Sequence, residues 1–169
     1  MSHPLKDIMS TAEHFLLIGE SSKDRFPALS DSAYTTAGRS FYCHDLDGIA
    51  EARGPAKGGR VYASVADLPE EHGDLAIIWV HPRSAARAVE VAYEAGYSKV
   101  WFSFKTGHRD AVAKAGELGM EVVEIGRCPV FYMDGAPGVC RAHTGMFKLA
   151  GGWKKPPQLD PDAKRREIL

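Results

Sequence analysis

Six consecutive apolar residues at 75–80, LAIIWV, followed directly by His81 and Pro82, constrain this chain more than any other feature. A run without polar alternation predicts a strand covered on both faces, as in a parallel sheet held between helices; a strand with one wet face would alternate. Pro82 suits the first turn of a following helix, where its missing N–H would have no partner anyway. Ala85, Ala88, Val89, Ala92 and Tyr93 then fall on one face of a helix running to about Ala95, and Gly96 supplies a left-handed stop.

The same strand-then-helix unit recurs along the chain. Residues 14–18, HFLLI, predict a first strand that ends on Gly19 and the polar stretch ESSKD. A helix is expected from near Pro27, with Phe26, Leu29, Ala33 and Ala37 on its apolar face and Gly38 closing it, and then a strand at 40–44. VYASVADLP predicts a short strand and one helical turn capped by Ser64. KVWFSF at 99–104 is another strand, residues 109–118 a helix stopped by Gly119, and MEVVEI at 120–125 a last strand. Crossovers of a dozen residues or more require parallel pairing, and parallel sheets need helices on both faces. The expected fold is therefore α/β: a doubly wound, mostly parallel sheet of about five strands in one domain over residues 1–135. Residues 136–169 read as a tail with one apolar island, MFKLA, which packs along the domain or reaches a partner subunit, and which loses order beyond Lys155.

At 169 residues the chain has room for a full core in a single domain. A formal net charge of -1 provides no global field for nucleic acid or an anionic membrane, so an anionic ligand must be met locally. Cys43, Cys128 and Cys140 contain no CxxC pair, which argues against a zinc site or a disulfide framework and for a reducing, cytoplasmic setting. No apolar run approaches the roughly 20 residues that span a bilayer, and the first residues do not read as a secretory leader.

In an open parallel sheet the ligand crevice lies beyond the carboxyl ends of the strands, where the strand order reverses. The loops there read GESSKDR, HDLDG, HPRS, KTGH and GRCP. Gly19 permits close backbone approach, and Ser21 and Ser22 can donate to phosphate oxygens; the same loop is also compatible with an ordinary strand-to-helix turn. It is neither GxGxxG nor a Walker A loop. GPAKGG at 54–59, with Lys57, is either a phosphate-binding cradle or a solvated linker.

Taken in order, these loops match a known pattern. GPAKGGRVYASVADL, LAIIWVHPRSAARAVEVA, KVWFSFKTGH and EIGRCPVFY make the chain similar, over about residues 15–132, to single-domain CoA-binding proteins of Rossmann-like fold. It also resembles the CoA-binding domain of the succinyl-CoA synthetase alpha subunit. The first loop carries fewer glycines than in the synthetase, and CHDLDG stands where many single-domain relatives have Asn-Pro.

The resemblance implies a site for coenzyme A or an acyl-CoA. It would place Gly19, Glu20, Ser21, Ser22 and Lys23 at the pyrophosphate, Lys57 and Gly58 at the nucleotide, and His81, Pro82 and Arg83 along the pantetheine or adenine path. Lys105, Thr106, Gly107, Arg127 and Cys128 would line the remaining rim. It implies a carrier, sensor or regulatory module without catalysis of its own, since no counterpart of the synthetase's phosphohistidine domain is present in these 169 residues; a homodimer is compatible with it.

Several residues keep two readings. His81 either donates to a phosphate or caps the next helix. Cys128 either meets the coenzyme thiol, with a mixed disulfide as one outcome, or is a small buried hydrophobe. Lys105 and Arg127 either offset phosphate charge or are surface cations. Asp45, 26 residues past Gly19, sits where a nicotinamide-binding fold places its ribose acid, which keeps an NAD(P)-binding oxidoreductase-like domain as the chief rival. A protein-interaction module using Trp101, Phe147 and Trp153 is the third reading.

Overall fold

The computed structural model describes residues 4–23, 28–48 and 61–151. Its strands are β1 (Phe15–Gly19), β2 (Phe41–Asp45), β3 (Val61–Tyr62), β4 (Leu75–Trp79), β5 (Lys99–Phe102) and β6 (Glu121–Ile125). They form one sheet in the order β3-β2-β1-β4-β5-β6, with every neighbouring pair parallel. Six strands, rather than about five, arise because the two-residue β3 pairs with Cys43 and His44 at the edge. The helices are α1 (Pro4–Thr11), α2 (Ala28–Thr36), α3 (Ala85–Glu94), α4 (Arg109–Glu117) and α5 (Gly138–Leu149).

Strand alternation divides the core in two, because successive side chains point to opposite faces. Leu16, Ile18, Ala76, Ile78, Val100 and Phe102 face α3 and α4, which meet them with Ala85, Ala88, Val89, Ala92, Ala111 and Ala115. Their odd-numbered neighbours Phe15, Leu17, Leu75, Ile77 and Trp101 face Leu5 and Met9 of α1, Ala33 and Tyr34 of α2, and Val130 and Tyr132. Both faces of β4 are thus covered, which is what an uninterrupted apolar run requires. Gly96 (φ +86°) and Gly119 (φ +71°) end α3 and α4 in the left-handed conformation that a side chain would strain.

Ser64 caps its turn as expected, its hydroxyl accepting from the Ala66 amide at 3.2 Å. Three expectations are corrected. Tyr93 is half exposed, because it lies at the margin of the α3 stripe rather than within it. Residues 138–149, expected as part of a tail without regular structure, form a helix, and residues 4–11, for which no element was expected, form another with Leu5, Ile8, Met9 and Ala12 on one face. Trp101 and Phe147 are not surface residues: Trp101 is fully buried, and Phe147 packs inward with its ring 5.4 Å from that of Phe131. The expected helix start at Phe26 and Pro27, the GPAKGG loop, Trp153 and the chain beyond Lys155 lie outside the described residues. No helix among the described residues is long and apolar enough to cross a membrane.

Candidate functional site

The chain leaves β1 for β2 and β3 on one side, then returns to β4 on the other, so the strand order reverses between β1 and β4. In an open parallel sheet this reversal is where a binding crevice lies, beyond the carboxyl ends of the two strands. Gly19 ends β1 in register with Asp45 and Trp79 on either side. The next residue, Glu20, is only 4% exposed. Its carboxylate spans the reversal: one oxygen accepts from the His81 amide at 2.9 Å and the other from the Ser84 hydroxyl at 2.6 Å. Glu20 therefore clamps the β1 loop to the start of α3, an internal task rather than a direct ligand contact.

The amides that follow are engaged too. Asp45, fully buried, accepts from the Ser21 amide at 3.1 Å and from the Asp47 amide at 3.2 Å through one oxygen. Asp47, partly exposed, accepts from the Ser22 amide at 2.9 Å. Burial pushes the Asp47 carboxyl up, but the Ser22 hydroxyl and amide, followed by the Arg87 and Lys23 charges, outweigh it and hold the group below the usual carboxylate range. Arg87 also donates to the Leu46 carbonyl at 3.0 Å, fixing the β2 loop over α3. Ser21 is buried, while Ser22 and Lys23 are exposed. Next to Asp45, His44 is held below the ordinary imidazole range, chiefly by burial, although its Nδ1 lies 2.8 Å from the Tyr62 carbonyl.

On the β4 side His81 takes the capping role: its Nδ1 accepts from the Arg83 amide at 3.3 Å, leaving the proton of the neutral ring on Nε2. Pro82 opens the short 3-10 turn Pro82–Ser84 and is buried, while Arg83 is exposed. Beyond β5, the Thr106 amide donates to the Ser103 carbonyl at 3.2 Å and the Thr106 hydroxyl to the Val80 carbonyl at 3.3 Å, tying this turn to β4. The turn holds Lys105 at φ +57°, an unusual conformation for a residue with a side chain, and its ammonium lies 5.1 Å from the Phe104 ring centroid. Gly107 is buried beside it.

The rim residues after β6 are more distant. With strands about 4.8 Å apart, β6 lies about 14 Å across the sheet from β1. Arg127 pairs with Glu124 at 3.2 Å, and its carbonyl accepts from the Trp101 indole at 2.7 Å. Cys128, partly buried, packs against the core face that holds Cys43, Tyr34 and Cys140. Burial above all, then the Cys128, Cys43 and Cys140 thiols, raises the Tyr34 hydroxyl well above its ordinary value. All three cysteines thus lie on the same core face as Tyr34, which favours the packing role for Cys128. Lys57 and Gly58 lie outside the described residues.

The structure thus brings Gly19, Glu20, Ser21, Ser22, His81 and Pro82 together at the reversal. It places Lys105, Thr106 and Gly107 on the adjoining β5 turn, and sets Arg127 and Cys128 at the far strand. Sequence reasoning missed Asp47, Ser84 and Arg87. The signal for Asp47 was its place in the β2 strand-end loop HDLDG; Arg87 lies one turn into α3 and carries no local signature.

Three solved structures share this architecture. A hypothetical protein from Pyrococcus horikoshii OT3 is 26% identical over 74% of this chain and 84% of its own, with a TM-score of 0.60. A conserved hypothetical protein from Pyrococcus furiosus (22% identity, 69% of this chain, 95% of its own, TM-score 0.53) shares the fold. So does a protein from Thermus thermophilus (21%, 73%, 90%, 0.56). No curated protein matches the sequence. The family described as "CoA binding domain" matches residues 44–134, from the end of β2 through the turn after β6. That match takes in more than half of the chain, including the β4 and β5 crevice loops, and makes the chain a member of the CoA-binding domain family.

Proposed function

We propose that this chain binds coenzyme A, free or acylated, in the crevice between the β1 and β4 loops, and serves as a carrier, sensor or regulatory module without chemistry of its own. The observation that carries this reading is the family match over residues 44–134, laid on a sheet whose order reverses between β1 and β4. Lys23, Arg83, Lys105 and Arg127 are cations on the described strand-end loops, and a ligand with three phosphate groups needs such charges nearby. By the family resemblance Lys57 and Gly58, which lie outside the described residues, are assigned to the nucleotide, and Arg127 with Cys128 to the far rim.

The environment of Asp45 weighs against the nicotinamide reading. A ribose-binding acid must present its carboxylate to the crevice, whereas Asp45 is fully buried and already accepts two backbone amides. Burial of Trp101 and Phe147 removes two of the three aromatic anchors on which an interaction module would depend. Calorimetric titration with coenzyme A, acetyl-CoA, NAD and NADP tests the proposal. Saturable heat is expected with the first two and none with the nicotinamide dinucleotides at equal concentration. Binding of NAD with no response to coenzyme A would overturn it.

A further inference from the structure

The donors that a phosphate would use at the end of β1 already hold an anion that belongs to the chain. Asp47 accepts from the Ser22 amide at 2.9 Å, is bonded by the Ser22 hydroxyl, and feels the charges of Arg87 and Lys23. An amide, a hydroxyl and nearby cations are what recognise a phosphate oxygen, and here the amide and hydroxyl of Ser22 hold a carboxylate where the β1 and β2 loops meet, beside the topological switch point, within the field of Arg87 and Lys23. The neighbouring acids are arranged differently. Asp45 is fully buried and braces two amides from inside the fold, and Glu20 is 4% exposed and bridges two loops. Asp47 is partly exposed, and its Ser22 contact lies at the open edge. It occupies a tight turn closed by the Gly48 amide on the Asp45 carbonyl at 2.9 Å, with Gly48 at φ +68°. Rotation of its side chain breaks none of the strand pairings, which end at Asp45.

We infer that Asp47 is a displaceable internal anion: in the empty protein it occupies the Ser22 cradle, and a phosphate of the ligand must expel it to bind. The latch would lower affinity for every phosphate-bearing ligand and free Ser22, Lys23 and Arg87 together when it opens. This rests on the coenzyme A reading above, and concerns which group occupies the cradle rather than whether the ligand binds. Without Asp47 the ligand meets no competitor and no carboxylate repulsion, so removal should strengthen binding, the reverse of what loss of an ordinary site residue does.

The test is titration of coenzyme A into wild type, Asp47→Ala and Asp47→Asn, each checked by thermal melting. D47A is expected to bind tenfold or more tightly than wild type. D47N, whose amide oxygen still accepts from Ser22 but carries no charge, is expected to fall between them. If D47A proves poorly folded, the near-isosteric D47N carries the comparison, with a gain of threefold or more expected. Equal or weaker binding by the folded variants, with wild type binding normally, would overturn the latch and leave the coenzyme A reading standing. Absence of coenzyme A binding in all three proteins would overturn that reading and the latch with it.

Discussion

Replacing Trp101 with alanine is expected to lower the stability of this protein by about 3–5 kcal/mol, the usual cost of deleting a large aromatic side chain from a closed core. Trp101 lies on β5, fully buried, with its ring centroid 5.6 Å from that of Tyr132. Its indole N–H also donates to the Arg127 carbonyl at 2.7 Å, so the substitution opens a cavity and strips a partner from the loop that follows β6. For a domain of this size the loss corresponds to a fall of roughly 10 °C in Tm. Trp101→Phe keeps most of the volume and loses the hydrogen bond, and should cost about 1–2 kcal/mol. Urea denaturation of both variants measures the two contributions separately. A loss below 1 kcal/mol for Trp101→Ala would mean that this tryptophan does not fasten the β6 loop to the sheet.

Glu20→Ala is expected to cost about 2–4 kcal/mol, because two partly buried donors, the His81 amide and the Ser84 hydroxyl, lose a buried charged acceptor at once. Glutamine distinguishes this from a simple charge effect. Its carbonyl oxygen can accept from His81 while its amide donates to the Ser84 oxygen, so Glu20→Gln should retain more than half of the lost stability. Because the clamp joins the two loops that flank the crevice, Glu20→Ala should weaken coenzyme A binding as well as the fold. Denaturation curves with paired titrations check both effects. Equal stability for the alanine and glutamine variants would contradict the clamp.

The readable and unreadable parts of this molecule separate by physical cause. LAIIWV announced β4 and its burial on both faces because covering a strand twice leaves no polar position in it. The α3 and α4 stops were legible in Gly96 and Gly119, since local conformational freedom is written in a single residue. α5 was not legible. Its buried anchor is Phe147, while Val139, Met146 and Leu149 point outward, so its apolar pattern does not mark the face that docks. α1 was legible but short: Leu5, Ile8, Met9 and Ala12 turn one face to the core at helical spacing, in a segment of only eight helical residues.

The candidate site divides in the same way. Its position followed from topology, and topology from periodicity. The roles of Glu20, Asp45 and Asp47 did not, because they depend on which backbone amides a carboxylate meets across 24 to 64 residues of chain. Composition suggested a loop of donors awaiting phosphate; the structure shows those amides engaged by acids from the adjoining loop.

The central claim joins a ligand to a place, and amide chemical-shift mapping of the isotopically labelled protein during a coenzyme A titration examines both together. Shifts are expected to concentrate on residues 19–23, 45–48, 81–87 and 103–107, at the carboxyl ends of β1, β2, β4 and β5, and to saturate. Shifts confined to the opposite end of the sheet, around residues 12–14, 72–74 and 96–99 at the amino ends of β1, β4 and β5, or a response to NAD but not to coenzyme A, would contradict it.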